Sequence, residues 1–95
     1  MLVERSDFTV RAGTGDAFEA AMQERGLPIL RGVPGALSVR LGRGVERPDA
    51  FMLLVEWEAM AAHKAYNLTP ECQEIRALIG GFATSGAMEH FEIRD

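Results

Sequence analysis

The chain has few of the residues that form covalent cross-links or metal centres. Its 95 residues include one cysteine, two histidines and one tryptophan. Cys72 has no partner for an internal disulfide and no second thiol for a metal cluster, which is typical of a reducing compartment. His63 and His90 stand far apart in the sequence, so no metal-binding motif is predicted.

Basic charge and long apolar runs are also scarce. Ten Lys and Arg residues face fourteen Asp and Glu residues, which gives a formal net charge of -4 at pH 7. Nucleic-acid binding requires a basic face that neutralises phosphates, so nucleic acid is not an expected partner. No apolar run approaches the ~20 residues of a transmembrane helix, and the N-terminus lacks the features of a secretory signal. We therefore expect a cytoplasmic protein without a membrane partner.

The most informative stretch of the chain is the apolar segment over residues 51–58. Hydrophobic residues make up 47% of the chain, so a packed core is expected, and the length predicts one domain over residues 1–95. In a strand, successive residues point to opposite faces of the sheet. Phe51 and Leu53 would lie on one face and Met52 and Leu54 on the other, so both faces begin with apolar side chains. One layer of helices covers only one face of a sheet. We infer that a second copy of the chain covers the other, in a homodimer.

The remaining elements follow from hydrophobic periodicity and from Gly and Pro positions. The sequence predicts strands from residue 2 to about 11 and over 36–43, 51–58 and 87–93, and helices over 16–30, 59–66 and from 70 to about 79. Thr69 is expected to cap the last helix, with Pro70 at its first position. This order of elements predicts an α+β fold of the ferredoxin-like βαββαβ type, with a four-stranded antiparallel sheet.

Three local features are expected within these elements. A bulge is predicted at Ser6 and Asp7 of the first strand. Gly26 and Pro28 are expected to end the regular part of the first helix, leaving an irregular apolar tail. Leu37 is predicted to share one face of the second strand with Val39 and Leu41.

The segment from Phe51 to Cys72 resembles the antibiotic biosynthesis monooxygenase type of dimeric α/β barrel. An apolar strand ends in Trp57, the helix after it carries the pair Ala62 and His63, and a Thr-Pro step follows at residues 69 and 70. The resemblance implies a homodimer with facing sheets. It also implies a pocket for a small organic molecule between the sheet and the helices.

Two functional branches of that family have characteristic residues at specific positions, and these can be compared with the residues of this chain. In the haem-degrading branch the characteristic Asn, Trp and His positions are taken here by Ser6, Tyr66 and Arg76. An arginine offers no lone pair to iron, so haem degradation is not expected.

The branch that oxidises polyketide phenols to quinones without metal or flavin resembles this chain at Trp57 and, with a one-residue gap in the alignment, at Arg76. The chain departs from it where Leu53 replaces an Asn and His63 replaces a Tyr. The resemblance therefore implies a cofactor-independent monooxygenase acting on a small aromatic or polyketide-like substrate. The alternative is a binding or stress-related module without catalysis, which the loss of the Asn at Leu53 favours.

Six residues are candidates for the site. A histidine with an ordinary pKa near 6.5 can accept a phenolic proton at neutral pH, so His90 or His63 is the expected base, and Arg76 is expected to hold an anionic oxygen. The expected substrate contacts are Trp57, Tyr66 and Phe51. Most candidates also have a purely structural interpretation: core packing for Trp57, a half-exposed ring for His63, and a solvent-exposed hydroxyl for Tyr66. For His90 it is a subunit contact, and for Arg76 a solvated charge or a local ion pair.

Overall fold

The computed structural model describes all 95 residues. In chain order the elements are β1 (Leu2–Val10), α1 (Gly15–Ala21), a π-helical segment (Met22–Gly26), α2 (Leu27–Arg31), β2 (Ala36–Arg43), β3 (Ala50–Trp57), α3 (Met60–Tyr66), α4 (Pro70–Gly80) and β4 (Ala83–Glu92). The strands form one antiparallel sheet in the order β2-β3-β1-β4. The predicted ferredoxin-like α+β fold is confirmed. None of the helices combines the length and the apolar character that crossing a bilayer requires.

The central strand β3 turns one face toward the helices. Phe51, Leu53, Val55 and Trp57 are buried there, whereas Met52 and Leu54 on the opposite face are half-buried. Strand pairing brings the charged side chains of Arg5 and Arg40 beside Leu54 on that outer face. The outer face is therefore apolar at its centre and charged around it, and no helix of the chain lies over it.

The core on the helix side is built around one aromatic side chain. The ring of Phe18 is fully buried and makes edge-to-face contacts with Phe8, Phe51 and Phe82 at centroid distances of 5.5, 4.8 and 5.4 Å. Such contacts stabilise a small core beyond the area that they bury.

The first helix does not end where Gly26 and Pro28 predicted. It widens into a π-helical segment over Met22–Gly26 and then continues as α2 to Arg31, so the expected irregular tail is wrong. A proline inside an α-helix clashes with the carbonyl one turn earlier, and the wider π turn before Pro28 relieves this conflict. At Gly26 a β-carbon would lie 2.6 Å from the sulfur of buried Met22, so a larger residue there would require the Met22 side chain to move.

Two strand irregularities also differ from expectation. The pairing of β1 with β3 runs without interruption through Ser6 and Asp7, so no bulge occurs there. A register shift lies instead between Ala36 and Ser38 of β2. The extra residue at such a shift changes the phase of side-chain alternation. Leu37 is consequently 60% exposed, and the prediction that it shares a face with Val39 is wrong.

The start of α4 forms as predicted. The Thr69 side chain accepts a hydrogen bond from the Cys72 backbone N–H at 3.2 Å, and its hydroxyl donates to the Tyr66 carbonyl at 2.6 Å. Pro70 occupies the first helical turn, where a missing N–H costs little. The cap links the end of α3 to the start of α4, and these two helices carry the residues described below.

We expect Thr69→Ala to lower the free energy of unfolding by about 1 kcal/mol, because the cap hydrogen bond is lost. Thr69→Ser keeps the hydroxyl and should lose much less. Urea denaturation of the three proteins measures both effects. Equal stability of the Ala and Ser variants would show that the hydroxyl does not act as a cap.

Candidate active site

A cavity of about 150 Å³ lies between the sheet and helices α3 and α4. Its walls are mostly apolar, with Leu53, Val55 and Ile75 among them, and polar side chains enter it from several elements. Hollows of about 300 and 370 Å³ lie elsewhere on the surface, but they contain no buried cluster of titratable groups. The smaller cavity is the one where acid, base and aromatic groups converge.

A buried carboxylate lies on one wall of this cavity. Glu4 is 8% exposed and stands on β1, beside Val55 of β3 and opposite His90 of β4. Its Oε1 accepts a hydrogen bond from the Trp57 indole N–H at 2.8 Å, and its Oε2 accepts one from the Ser6 hydroxyl at 3.2 Å. A buried charge requires such donors, so the position of the carboxylate is fixed by the sheet.

Two histidine rings meet beside this carboxylate. His63 on α3 is 3% exposed, and its Nδ1 lies 2.8 Å from Nε2 of half-buried His90 on β4. On the other side of the ring, Nε2 of His63 lies 3.3 Å from Oε1 of Glu4. The three side chains therefore form a continuous row of contacts from Glu4 on the buried face of β1 to His90 on the edge strand β4.

Aromatic rings complete the cavity wall. The Trp57 ring lies 5.2 Å from the ring of His63 and 5.7 Å from that of Tyr66, measured between centroids. His63 and Tyr66 both pack near the Trp57 ring because they lie three positions apart on α3 and share a helix face. The wall can stack against a planar ligand.

The electrostatics keep the histidine of α3 neutral. Burial lowers the pKa of His63, and the charges of His90 and Arg76 add to the decrease, whereas the Glu4 carboxylate opposes it. Burial also raises the pKa of Tyr66 above its ordinary value, with a further contribution from nearby Cys72. At neutral pH the cavity thus holds an uncharged imidazole and a protonated phenol.

Glu4, His63 and His90 are also the residues that could hold a metal ion. Each offers one ligand atom, and these atoms lie within 4.8 Å of one another. Carboxylate and imidazole are ligands of several transition metals. Here, however, the two ring nitrogens of His63 face different partners. The two nitrogens point in different directions, so an ion bound to one of them would replace the contact that this nitrogen makes here.

The structure brings most of the expected site residues together. Trp57, His63, Tyr66 and Arg76 line the cavity, and His90 joins it through its contact with His63. Arg76 is exposed at the rim and makes no side-chain hydrogen bond or ion pair, which leaves its charge available to a ligand.

Phe51 lies apart from this cavity. It packs in the core against Phe18, and the Arg43 guanidinium lies 5.3 Å over its ring. Phe51 and Trp57 share one face of β3, but they lie six positions apart along the strand, which places them about 20 Å from each other. Alternation along a strand shows which residues share a face of the sheet, but it does not show how far apart they lie. The expected substrate contact at Phe51 therefore has no support at this site.

Sequence reasoning missed Glu4. Alternation along β1 could have identified it. Glu4, Phe8 and Val10 are all even-numbered residues of this strand, so Glu4 lies on the same face as two buried apolar residues. An acidic residue at such a position is rare without a partner.

The lowered pKa of His63 generates a prediction about stability. The ordinary value is 6.5, and the unfolded chain therefore binds this proton at a higher pH than the folded chain. The stability that depends on neutral His63 is complete above about pH 6.5 and is lost as pH falls through the lower folded-state pKa.

We expect the wild-type protein to lose stability between about pH 7 and pH 5 more steeply than His63→Gln. The difference should be on the order of 1 kcal/mol for each unit by which folding lowers the pKa. Chemical denaturation at several pH values measures it. Parallel curves for the two proteins would contradict a neutral, buried His63.

Known proteins share this fold and sequence pattern. The family described as Antibiotic biosynthesis monooxygenase matches residues 1–78. The Uncharacterized protein YczJ of Bacillus subtilis (strain 168) is 31% identical over 94 residues, which cover 97% of this chain and 98% of YczJ.

Solved structures agree with the sequence match. A candidate antibiotic biosynthesis monooxygenase of Bordetella bronchiseptica superposes with a TM-score of 0.88 at 25% identity, covering 98% of this chain and 96% of that one. A mutant of SnoaB, a cofactor-independent oxygenase of Streptomyces nogalater, superposes with a TM-score of 0.86 at 16% identity, covering 99% and 93%. At that identity the likeness to SnoaB shows the fold alone. The resemblance seen in the segment from Phe51 to Cys72 is confirmed, and the chain belongs to the antibiotic biosynthesis monooxygenase family.

Proposed function

We propose that this protein is a cofactor-independent monooxygenase of small, electron-rich aromatic or polyketide-like substrates. The observation that carries the proposal is a pair of contacting imidazoles, His63 and His90, beside a buried carboxylate on an apolar cavity. Imidazole can act as a general base near neutral pH. Family membership and the oxygenase activity named for SnoaB support the reaction class.

The reaction needs the protein mainly to bind and deprotonate its substrate. The histidine pair accepts a proton from an acidic C–H or O–H of the substrate, and the resulting anion is stabilised by the free guanidinium of Arg76. Trp57 and Tyr66 hold the aromatic plane in a site from which the apolar walls exclude water.

The electrons come from the substrate itself. The anion donates electrons to O₂, a carbon–oxygen bond forms, and the proton returns to the peroxide oxygen. Cleavage of the O–O bond then converts the substrate CH₂ group and one O₂ into a C=O group and one H₂O. No step requires a metal or a flavin as co-reactant.

The dimensions of the cavity favour a small substrate. Its volume of about 150 Å³ is below the roughly 300–1,000 Å³ typical of sites for drug-sized ligands. Met88, which is 52% exposed, lines the cavity, and its flexible side chain can move to admit a ligand. A compact aromatic molecule fits this site better than an extended one.

We also propose that the protein functions as a homodimer whose outer sheet faces pack together. Met52 and Leu54 form the apolar centre of that face, and exposed Phe91 lies near its edge. Burial of such a patch removes apolar surface from water. The lone thiol of Cys72 is consistent with the cytoplasm as the compartment.

A binding module without catalysis is the second candidate. Leu53 on the cavity wall stands where the oxygenase branch has an Asn, so one polar contact to a substrate oxygen is missing. Such a module would bind the same aromatic ligand in the same cavity and would leave it unchanged.

Aerobic incubation with 1,8-dihydroxyanthrone separates the two candidates. We expect the protein to raise the oxidation rate well above that of the protein-free solution, with one O₂ consumed per molecule oxidised and no product under argon. Arg76→Gln should lower kcat/KM about 10- to 100-fold, because a hydrogen bond to the charged anion contributes about 1.5–3 kcal/mol. Glu24→Gln, at an exposed position in the π-helical segment, is the matched control. Binding without oxygen-dependent product would leave only the module.

Sedimentation at micromolar concentration tests the dimer. We expect a dimer for the wild-type protein and a folded monomer for Leu54→Asp, because a carboxylate cannot be buried there without a partner. Val45→Asp, at a loop position that is 89% exposed, should remain dimeric. A monomeric wild-type protein would refute the proposed interface.

A further inference from the structure

The two histidines are not equivalent, although both are candidates for the base. Nδ1 of His63 contacts His90 and Nε2 of His63 faces Glu4, so neither ring nitrogen of His63 is free. His90 uses only Nε2 in this contact, and its Nδ1 has no hydrogen-bond partner in the protein. His90 is also the half-buried member of the pair, and it lies two residues along β4 from Met88, which lines the cavity.

The charge of Glu4 determines where the protons lie. A carboxylate 3.3 Å from Nε2 of His63 favours an N–H on that nitrogen and disfavours a lone pair there. The neutral ring then carries its lone pair on Nδ1. Only one arrangement makes the 2.8 Å contact with His90 a hydrogen bond between neutral rings: Nε2–H of His90 donates to Nδ1 of His63.

We propose that Glu4, His63 and His90 act as one relay in which His90 is the base, through Nδ1, and His63 and Glu4 are positioning residues. This assignment deepens the proposed monooxygenase function and rests on it. Glu4 fixes the tautomer of His63, and His63 orients the His90 ring by accepting its Nε2–H. Hydrolytic triads also place a carboxylate beside an imidazole, but here the two lie at 3.3 Å as a charge contact, and a second imidazole stands in place of the nucleophile.

The surroundings keep His63 in this role. Arg76 from α4 and His90 from β4 disfavour a positive charge on His63, and Glu4 from β1 favours one, while burial outweighs the carboxylate. The other neighbours are the Trp57 indole from β3 and the Tyr66 phenol on α3, which burial keeps protonated by raising its pKa. His63 therefore remains a neutral acceptor.

The proton step is balanced within these residues. The substrate O–H or C–H bond breaks, its electron pair stays on the substrate, and a new H–Nδ1 bond forms on His90. The imidazolium that results keeps its Nε2–H in the hydrogen bond to His63. Its positive charge is stabilised by that acceptor and by the negative charge of Glu4 beyond it. The proton later returns from Nδ1 of His90 to the peroxide oxygen.

Nitrogen NMR of the intact protein with ¹⁵N-labelled histidine tests the relay without substrate. We expect both rings to carry their proton on Nε2 and a scalar coupling across the hydrogen bond from Nε2 of His90 to Nδ1 of His63. In Glu4→Gln the tautomer preference of His63 should weaken, while Glu24→Gln should match the wild type. A wild-type His63 with its proton on Nδ1, or an unchanged tautomer in folded Glu4→Gln, would overturn the proposal.

Turnover of 1,8-dihydroxyanthrone provides the second readout. His90→Gln should lower kcat by about 100-fold or more, as expected for loss of a general base. Glu4→Gln and His63→Gln should each lower kcat and change its pH profile, with KM nearly constant. The double variant should lose no more than the worse single variant, because the two residues act through one group. Additive losses, or a normal pH profile in both single variants, would refute the relay.

The two readouts separate the failure of the relay from that of the proposed function. If the wild-type protein shows the expected tautomers and coupling but no oxygen-dependent product, the monooxygenase proposal fails and the arrangement of the three residues stands as the binding site of a module. If turnover is present and His63 carries its proton on Nδ1, the function stands and the relay is wrong.

Discussion

The hydrogen bond from the Trp57 indole to Glu4 is the interaction on which the site depends. It is 2.8 Å long and buried, and it holds a carboxylate on the face of the sheet that otherwise carries apolar side chains. A hydrogen bond to a charged group contributes about 1.5–3 kcal/mol, and the bonds from Trp57 and Ser6 to Glu4 together offset part of the cost of removing that charge from water. The same contact fixes the plane of Trp57, so the acid and the aromatic wall are positioned together.

The sheet order explains why this site can form in so short a chain. Strand β1 lies at the centre, between β3 and β4, so a residue on its buried face is adjacent to both neighbours. Glu4 therefore reaches Trp57 on one side and the histidine pair on the other, and His63 arrives from α3 above the sheet. Residues that are far apart in sequence converge without any loop insertion.

Features that depend on local sequence could be predicted. Features that depend on how the strands pair, or on how the helices pack, could not. The alternation of β3, the cap at Thr69 and the order of elements follow from spacing and turn chemistry, and the structure has them. The exposure of Leu37 follows from a one-residue shift against β3, which no periodicity reveals. The continuation of the first helix past Pro28 depends on a π-helical turn, which is set by packing rather than by propensity.

The candidate site shows the same division. Trp57, His63 and Tyr66 could be named from the sequence because they lie in the segment that resembles the family. Arg76 could be named because it matches a position of the oxygenase branch, and all four residues line the cavity. Glu4 could not be named from the sequence, because its contact with the histidine pair depends on the pairing of β1 with β4, which places Glu4 opposite His90. Phe51 was expected at the site because it shares a face with Trp57, yet it lies at the other end of the strand and packs against Phe18.

The central claim is that the cavity bounded by Trp57 and the histidine pair binds a small aromatic molecule. Since Trp57 is the one tryptophan of the chain, its indole N–H gives a single, assigned NMR resonance at the cavity wall. Titration with 1-naphthol under argon measures that resonance together with the backbone amides. We expect a saturable shift of the Trp57 indole signal and of the amides around His63 and His90. Saturable shifts confined to the outer face of the sheet, or no saturation at all, would contradict it.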